Sequence, residues 1–218
     1  TIDASSRGYD AIATCYFPLE YSLFGQSLHR SRTALLDRVP KINRALILGD
    51  GDGRLLEQLV ISQPDCQFTS VDFSPQMLKR QRKRLTKLGR CDQVEFVHED
   101  ARTFVPKSGS YDLLVTAYFL DCFDEFELEH GLPKWLSLLR TGGFFYFADF
   151  VEPPSGWRRT QSLFFQWGMH LFFRAVTKLP NRTLIDLNRL LDRQTLALID
   201  RCDAAHPMMT TRLYRYSP

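Results

Sequence analysis

The run Ala45-Leu46-Ile47-Leu48-Gly49-Asp50-Gly51-Asp52-Gly53-Arg54 joins four apolar residues to glycines at alternate positions, and then to a helical stretch over Arg54–Ile61. A short apolar run that stops at glycine reads as a buried strand. Glycine permits positive φ and close approach to the main chain, so a ligand can lie against a loop built this way. The helix that follows offers unpaired N–H groups in its first turn. About twenty residues further on, Asp72 closes the next strand-like run, Phe68–Val71, where a carboxylate can accept from the hydroxyls of a ribose. Glycine loop, helix, strand and terminal acid together describe a nucleoside site. The glycines alone would also suit a tight strand-to-helix turn.

The spacing narrows the choice of nucleoside. Dinucleotide folds use G-x-G-x-x-G, with a helix N-terminus facing a pyrophosphate. Here the pattern is G-x-G-x-G, and the loop carries two carboxylates, Asp50 and Asp52. Acid beside a pyrophosphate is repelled, whereas a ligand with ammonium and sulfonium centres tolerates it. The loop therefore favours S-adenosylmethionine over NAD.

Working outward, the chain alternates strands and helices. Ser74–Leu88 reads as a helix with Ser74 as N-cap and Pro75 at its first position. Val94–Val97 and Tyr111–Ala117 read as strands and Glu125–Leu139 as a helix. Phe144–Phe150 reads as a strand after the Thr141-Gly142-Gly143 turn. Strands separated by helices of this length predict βαβ units and a parallel sheet. Thr195–Cys202 and Met208–Tyr216, around Ala204–Pro207, predict an antiparallel hairpin on that sheet. Residues 1–40, rich in aromatics and ending at Pro40, predict one or two helices forming a cap. Residues 41–218 form the core, with an aromatic helical insertion at about 155–192 that includes Trp157–Leu179.

Composition limits the remaining classes. In 218 residues, 44% hydrophobic and 24% charged, the chain reads as one soluble globular domain with a cap. A net charge of +3 does not by itself imply nucleic acid. The basic run Lys79–Arg84, with Lys87, reads as the solvated face of a helix on the outside of the sheet. Five cysteines, Cys15, Cys66, Cys91, Cys122 and Cys202, form no C-x-x-C pair, so reduced thiols and a cytoplasmic setting are expected. The five histidines show no metal-ligand spacing, and no metal is predicted. No apolar run approaches the roughly 20 residues that span a bilayer, so no stable membrane insertion is expected. The chain opens at Thr1 without a charged-then-apolar leader, and a residue or short segment is expected to be missing from its front.

Four segments in order resemble the class I S-adenosylmethionine-dependent methyltransferase family, across roughly residues 42–150. Leu48-Gly49-Asp50-Gly51-Asp52-Gly53 is similar to its first motif. Val71-Asp72-Phe73-Ser74-Pro75-Gln76-Met77-Leu78 is similar to the V-D-x-S-x-x-M-L pattern of small-molecule and quinone-pathway members. His98-Glu99-Asp100-Ala101 resembles the x-x-D-A step after the third strand, and Leu138-Leu139-Arg140-Thr141-Gly142-Gly143 the L-x-P-G-G turn before the fifth. The resemblance implies a Rossmann-like α/β methyltransferase fold. That fold is a mostly parallel seven-stranded sheet with an antiparallel C-terminal hairpin and a helical N-terminal cap. It implies that Gly49, Gly51 and Gly53 line the methionine part of S-adenosylmethionine and that Asp72 holds the ribose. Phe73 would pack on the adenine, with Asp100 accepting from its amine and the Ala101 N–H donating to the ring. Ala117, Tyr118 and Phe119 would flank the methyl group. Ile47 stands where the family often has an acid, so that acid's contact is expected to be absent or supplied by another residue such as Asp50, and Thr141 stands where proline is common.

A displacement at a sulfonium methyl needs an in-line lone pair, positioning and exclusion of water, with a base only when the acceptor must lose a proton. Asp121 lies nearest the expected methyl position and is the first candidate. Tyr118 and Tyr21 follow, Tyr21 with Tyr9 and Tyr16 in a segment that often folds over the cofactor in this family. His29, His170 and Asp149 are further candidates. The aromatic insertion, with Trp157, Phe164, Trp167 and Met169, predicts a small hydrophobic or aromatic acceptor. Thr116–Cys122 lacks the N/D-P-P-Y loop of DNA- and glutamine-methylating members, so no nucleic-acid partner is expected. A non-catalytic nucleoside-binding partner protein, a nicotinamide-dependent oxidoreductase and an aminopropyl transferase are the alternatives.

Overall fold

The computed structural model describes residues 26–106, 111–151, 185–203 and 208–218. The expected lid tyrosines Tyr9, Tyr16 and Tyr21, the aromatic helix over Trp157–Leu179 with His170, and the hairpin turn at Ala204–Pro207 with His206 lie outside the described residues. In chain order the elements begin with α1 (Ser27–Thr33), a 3₁₀ turn (Leu36–Arg38), β1 (Arg44–Leu48), α2 (Arg54–Ser62) and β2 (Gln67–Asp72). Then follow α3 (Pro75–Leu88), β3 (Val94–His98), β4 (Tyr111–Ala117), α4 (Glu125–Leu136) and β5 (Leu139–Phe150). The chain closes with α5 (Leu187–Asp192), β6 (Leu196–Cys202) and β7 (Met209–Tyr216). The strands form one seven-stranded sheet in the order β3-β2-β1-β4-β5-β7-β6. The first four pairings across β3, β2, β1, β4 and β5 are parallel, and β7 pairs antiparallel to both β5 and β6.

The unbroken apolar run in β1 follows from its place at the middle of the sheet. Successive side chains point to opposite faces, and both faces are covered. Ala45 and Ile47 pack with Leu55, Leu56 and Leu59 of α2 and Leu85 of α3. Leu46 and Leu48 pack on the other face with Leu128, Leu132 and Trp135 of α4 and Leu187, Leu190 and Leu191 of α5. The hydroxyl of Ser74 accepts from the Met77 N–H at the start of α3, and Pro75 follows it, as predicted. Asp124 and Glu127 close a reciprocal capping box on α4.

Two boundaries differ from the sequence reading. The helix over residues 125–139 stops at Leu136, where Ser137 caps it, and β5 begins already at Leu139. Tyr111 pairs Leu139, but Leu113 pairs Phe144, so the Thr141-Gly142-Gly143 segment is an irregularity inside the strand rather than a turn before it. Gly142 takes up the geometry with φ +77°. Of the expected cap, the described part is α1. It is fastened to the sheet by Tyr146, whose hydroxyl donates to the Arg32 carbonyl (2.9 Å), and by Thr211, whose hydroxyl donates to the Ser31 carbonyl (2.5 Å).

Candidate active site

The register of the parallel strands lines up the candidate residues along one sheet edge. Leu48 pairs Val71, and the Gly49 N–H donates to the Val71 carbonyl (2.9 Å), so the glycine bend begins beside Asp72. Asp72 pairs His98, which places Asp100 and Ala101 just past the next strand end. On the other side Leu48 pairs Thr116, and Ala117 pairs Ala148, the residue before Asp149. The carboxyl ends of β3, β2, β1, β4 and β5 thus carry Asp100, Asp72, Gly49, Ala117 and Asp149 in a row, at the edge where open α/β sheets bind ligands.

The three glycines of the bend are alike in backbone and different in surroundings. Gly49, Gly51 and Gly53 have φ of +64°, +61° and +84°, a region other residues rarely adopt. A Cβ on Gly51 would meet nothing within 4 Å, so this residue borders open space. A Cβ on Gly49 would collide with the Phe119 ring. One on Gly53 would stand 3.0 Å from the Gln81 Cα and 2.9 Å from its Cγ. Gly53 therefore serves the close approach of α2 to α3. Gln81 also holds the bend directly: its amide donates to the Gly51 carbonyl (2.9 Å) while its oxygen accepts from the Ser70 hydroxyl (2.7 Å).

The two loop acids are both buried and both engaged by donors of the chain. The Asp50 carboxylate turns under the bend and accepts from the Leu56 N–H (2.9 Å) in the first turn of α2. Burial pushes Asp50 up to about 7, against the pull of the Leu56 amide, the Arg32 charge and the Leu55 amide. Asp52 is buried against Arg54 (2.9 Å) and Arg84 (3.3 Å). Both acids thus accept from the chain itself, Asp50 from the first turn of α2 and Asp52 from two guanidinium groups.

Asp72 is buried at the end of β2, and its Oδ1 accepts from the Ser74 N–H (2.9 Å). Phe73 beside it is half-buried, and its carbonyl is bonded to the His98 ring (3.0 Å). Both oxygens of Asp100 accept from Arg102, whose Nε and Nη2 lie 2.9 and 2.5 Å from Oδ2. Burial raises Asp100, but the Arg102 bonds and charge bring it below the usual carboxylate range. An adenine amine at Asp100 would share this carboxylate with Arg102. Ala101 is buried, and its carbonyl accepts from the Trp135 indole N–H (2.9 Å).

Beyond β4 the chain turns through Tyr118, the one non-glycine at positive φ (+55°) among the described residues. The two aromatics there diverge. Tyr118 packs among Leu28, Phe150 and Met209, with the Arg32 guanidinium 5.6 Å from its ring centre. Burial holds its hydroxyl, which sits beside Ser31, well above the usual phenol range. Tyr118 is therefore directed toward α1. Phe119 instead lies against Gly49 and stacks with Phe123 (4.9 Å) and Trp135 (5.5 Å).

Asp121 sits in the 3₁₀ turn Leu120–Cys122, half-buried, with the Cys122 thiol 3.6 Å from its Oδ1. Asp149, fully buried at the end of β5, accepts from the Leu120 N–H (3.1 Å) and the Phe150 N–H (2.8 Å). Burial pushes Asp121 up to about 6. Asp149 is raised further, by burial and then by the Asp121 charge. His29 lies on α1, and His98 is exposed at the end of β3. Among the described residues no three His, Cys, Asp or Glu gather to hold a metal, and no helix is long and apolar enough to cross a membrane.

The sequence reading passed over Gln81 and Trp135 as site-shaping residues. Gln81 carried a signal: it is the uncharged residue in a run of cations, on the face of α3 that turns inward. Trp135 carried none, since an aromatic in an amphipathic pattern reads only as core.

A Rossmann-like nucleoside-binding domain is the class that this sheet and this row of strand ends define. Residues 45–143 match the methyltransferase domain family. The demethylmenaquinone methyltransferase of Clavibacter sepedonicus is 32% identical over 111 residues, 51% of this chain and 42% of that protein. The trans-aconitate 2-methyltransferase of Streptomyces coelicolor is 30% identical over 139 residues, 61% and 44% of the two chains. The chain spans about half the length of the curated relatives it matches. Among solved structures, the N-methyltransferase NodS from Bradyrhizobium japonicum in complex with S-adenosyl-L-homocysteine shares the fold, with TM-score 0.57 and 16% identity over 88% of this chain and 84% of that one. Over residues 45–143 the chain is thus similar to the methyltransferase domain family, and its fold is one that solved methyltransferases share.

Proposed function

We propose that this chain binds S-adenosylmethionine along the carboxyl ends of β1, β2 and β3 and transfers its methyl group to a small acceptor held beyond β4 and β5. The observation that carries the reading is the adjacency of the glycine bend and Asp72, joined through the Gly49–Val71 hydrogen bond. The residues present fit the cofactor. Open space borders Gly51, and a buried carboxylate stands one strand away for the ribose. Gly49 and Gly51 border the methionine end, Asp72 holds the ribose hydroxyls, and Phe73, Asp100 and Ala101 frame the adenine. Ala117 closes the methyl end.

When bound, S-adenosylmethionine supplies an electrophilic methyl on a sulfonium sulfur. Asp121, after β4, is placed to take the proton of an acceptor hydroxyl or acidic carbon as that atom's electron pair forms the new bond to the methyl carbon and the carbon–sulfur pair stays on sulfur. Demethylmenaquinone and trans-aconitate, named for the two relatives, are acceptors of different chemistry, and a small organic acceptor is the reading common to both. The cations of α3 are engaged along that helix, where Arg84 pairs Asp52 and Glu57 and Arg82 covers Phe96.

Thermal shift with S-adenosylmethionine, S-adenosylhomocysteine and NAD in parallel tests the binding reading. The first two are expected to raise the melting temperature by several degrees at saturating concentration, and NAD is expected to leave it unchanged. In Asp72→Ala the affinity for both ligands should fall roughly 10- to 100-fold, because a charged partner of the ribose is lost. Preferential stabilisation by NAD, or unchanged affinity in Asp72→Ala, would overturn the reading.

A further inference from the structure

Asp149 belongs to no motif that carries the family match, which ends at residue 143. It is a wholly buried carboxyl at the end of β5, next to the strand that delivers Asp121. Its two oxygens are divided between two places. Oδ1 accepts from the Phe150 N–H of its own strand (2.8 Å), and Oδ2 accepts from the Leu120 N–H (3.1 Å), the first amide of the turn that carries Asp121. The Asp121 N–H also points to Asp149. The strand ends are joined just below by the bond from the Tyr118 N–H to the Ala148 carbonyl (2.8 Å). A buried side chain that accepts from successive amides of a short turn fixes both the position and the tilt of that turn.

We infer that Asp149 is a positioning residue for Asp121: it clamps the turn after β4 so that the Asp121 carboxyl faces the acceptor side. This inference rests on the proposed role of Asp121 as proton acceptor. Two carboxyls brought together in a place poor in water do not both ionise, and the more deeply buried one keeps the proton. Here Asp149 is that one, since Asp121 retains access to solvent. The other groups that face the pair are the Tyr118 hydroxyl from the end of β4, held neutral by burial, the Cys122 thiol from the turn, and Arg32 of α1 behind the Tyr118 ring. A neutral Asp149 leaves Asp121 as the group that releases its proton first and can take one back from an acceptor.

The test is a carbon-13 titration of the side-chain carboxyls in the full chain without ligand, followed by the pH profile of methyl transfer. In Asp149→Asn, which keeps one acceptor for the turn, the Asp121 midpoint should stay within about half a pH unit, because a protonated Asp149 and an Asn carry the same charge. The value of kcat should fall about tenfold as the turn loses one of its acceptors, while the acidic limb of kcat/KM stays in place and the affinity for S-adenosylhomocysteine stays within about twofold. The reciprocal variant Asp121→Asn should lower the Asp149 midpoint by about one pH unit or more, because the charge that raises it is gone, and this readout holds even if Asp149→Asn folds poorly. An Asp149 midpoint that stays put in Asp121→Asn would overturn the inference, as would an unchanged kcat in Asp149→Asn. A moved Asp149 midpoint with no acidic limb in the wild-type profile would uphold the pairing and strike the proposed role of Asp121 instead.

Discussion

Asp121 and Asp50 are both carboxyls raised by burial, and their surroundings give them different work. Asp50 is enclosed and bonded to helix amides, so its proton has no route to a substrate. Asp121 is half-buried in a turn at the edge where the nucleoside site opens, and burial places its midpoint at about 6. For an acceptor that must lose a proton, Asp121→Asn should lower kcat by about 100-fold or more and leave the Kd of S-adenosylhomocysteine nearly unchanged. Wild-type kcat should fall as the pH drops through about 6, because the base form is lost there, and the variant should show no such limb. Rapid-quench or steady-state assays across pH 5–8 check both outcomes.

Elements matter through how closely they approach. The bend between β1 and α2 keeps its shape because α3 presses on it: Gln81 bonds the Gly51 carbonyl, and Gly53 leaves no room for a side chain against the Gln81 backbone. Gly53→Ala meets two penalties, a φ of +84° and a Cβ 3.0 Å from the Gln81 Cα. It should destabilise the chain by about 2–4 kcal/mol, read as a lower urea midpoint at unchanged slope. On the other face the cluster of Phe119, Phe123 and Trp135 links the two ends of the nucleoside strip. Phe119 lies on Gly49, while Trp135 bonds the Ala101 carbonyl. The glycine pattern was legible in the sequence, but the different neighbours of its three members were not, because each neighbour comes from a separate element.

Across the whole molecule, pH couples to stability through the buried acid of the bend. Between about pH 4 and pH 7 the folded chain keeps a proton on Asp50 that the unfolded chain has already released. Stability from this group is therefore fully present at low pH and is lost as the pH rises through that window. Asp50→Asn removes the titration while the amide oxygen can still accept from Leu56, so chemical denaturation should show a shallower loss of stability between pH 4 and 7 than wild type. The fold itself was written locally. Period and punctuation (the apolar run stopped at Gly49, Ser74-Pro75 opening α3, Asp72 closing β2) mark strands and helices because backbone geometry is a property of neighbouring residues. Their alternation then dictates a parallel sheet, and with it the row of strand ends on which the nucleoside residues stand. Only the folded chain decided where the charges point. Asp50 and Asp52 turned inward to helix amides and guanidinium groups, Tyr118 turned to α1, and Asp149 came under the turn of Asp121. A carboxylate takes the nearest donor in space, and nearness across a sheet is set by strand order and register rather than by distance along the chain.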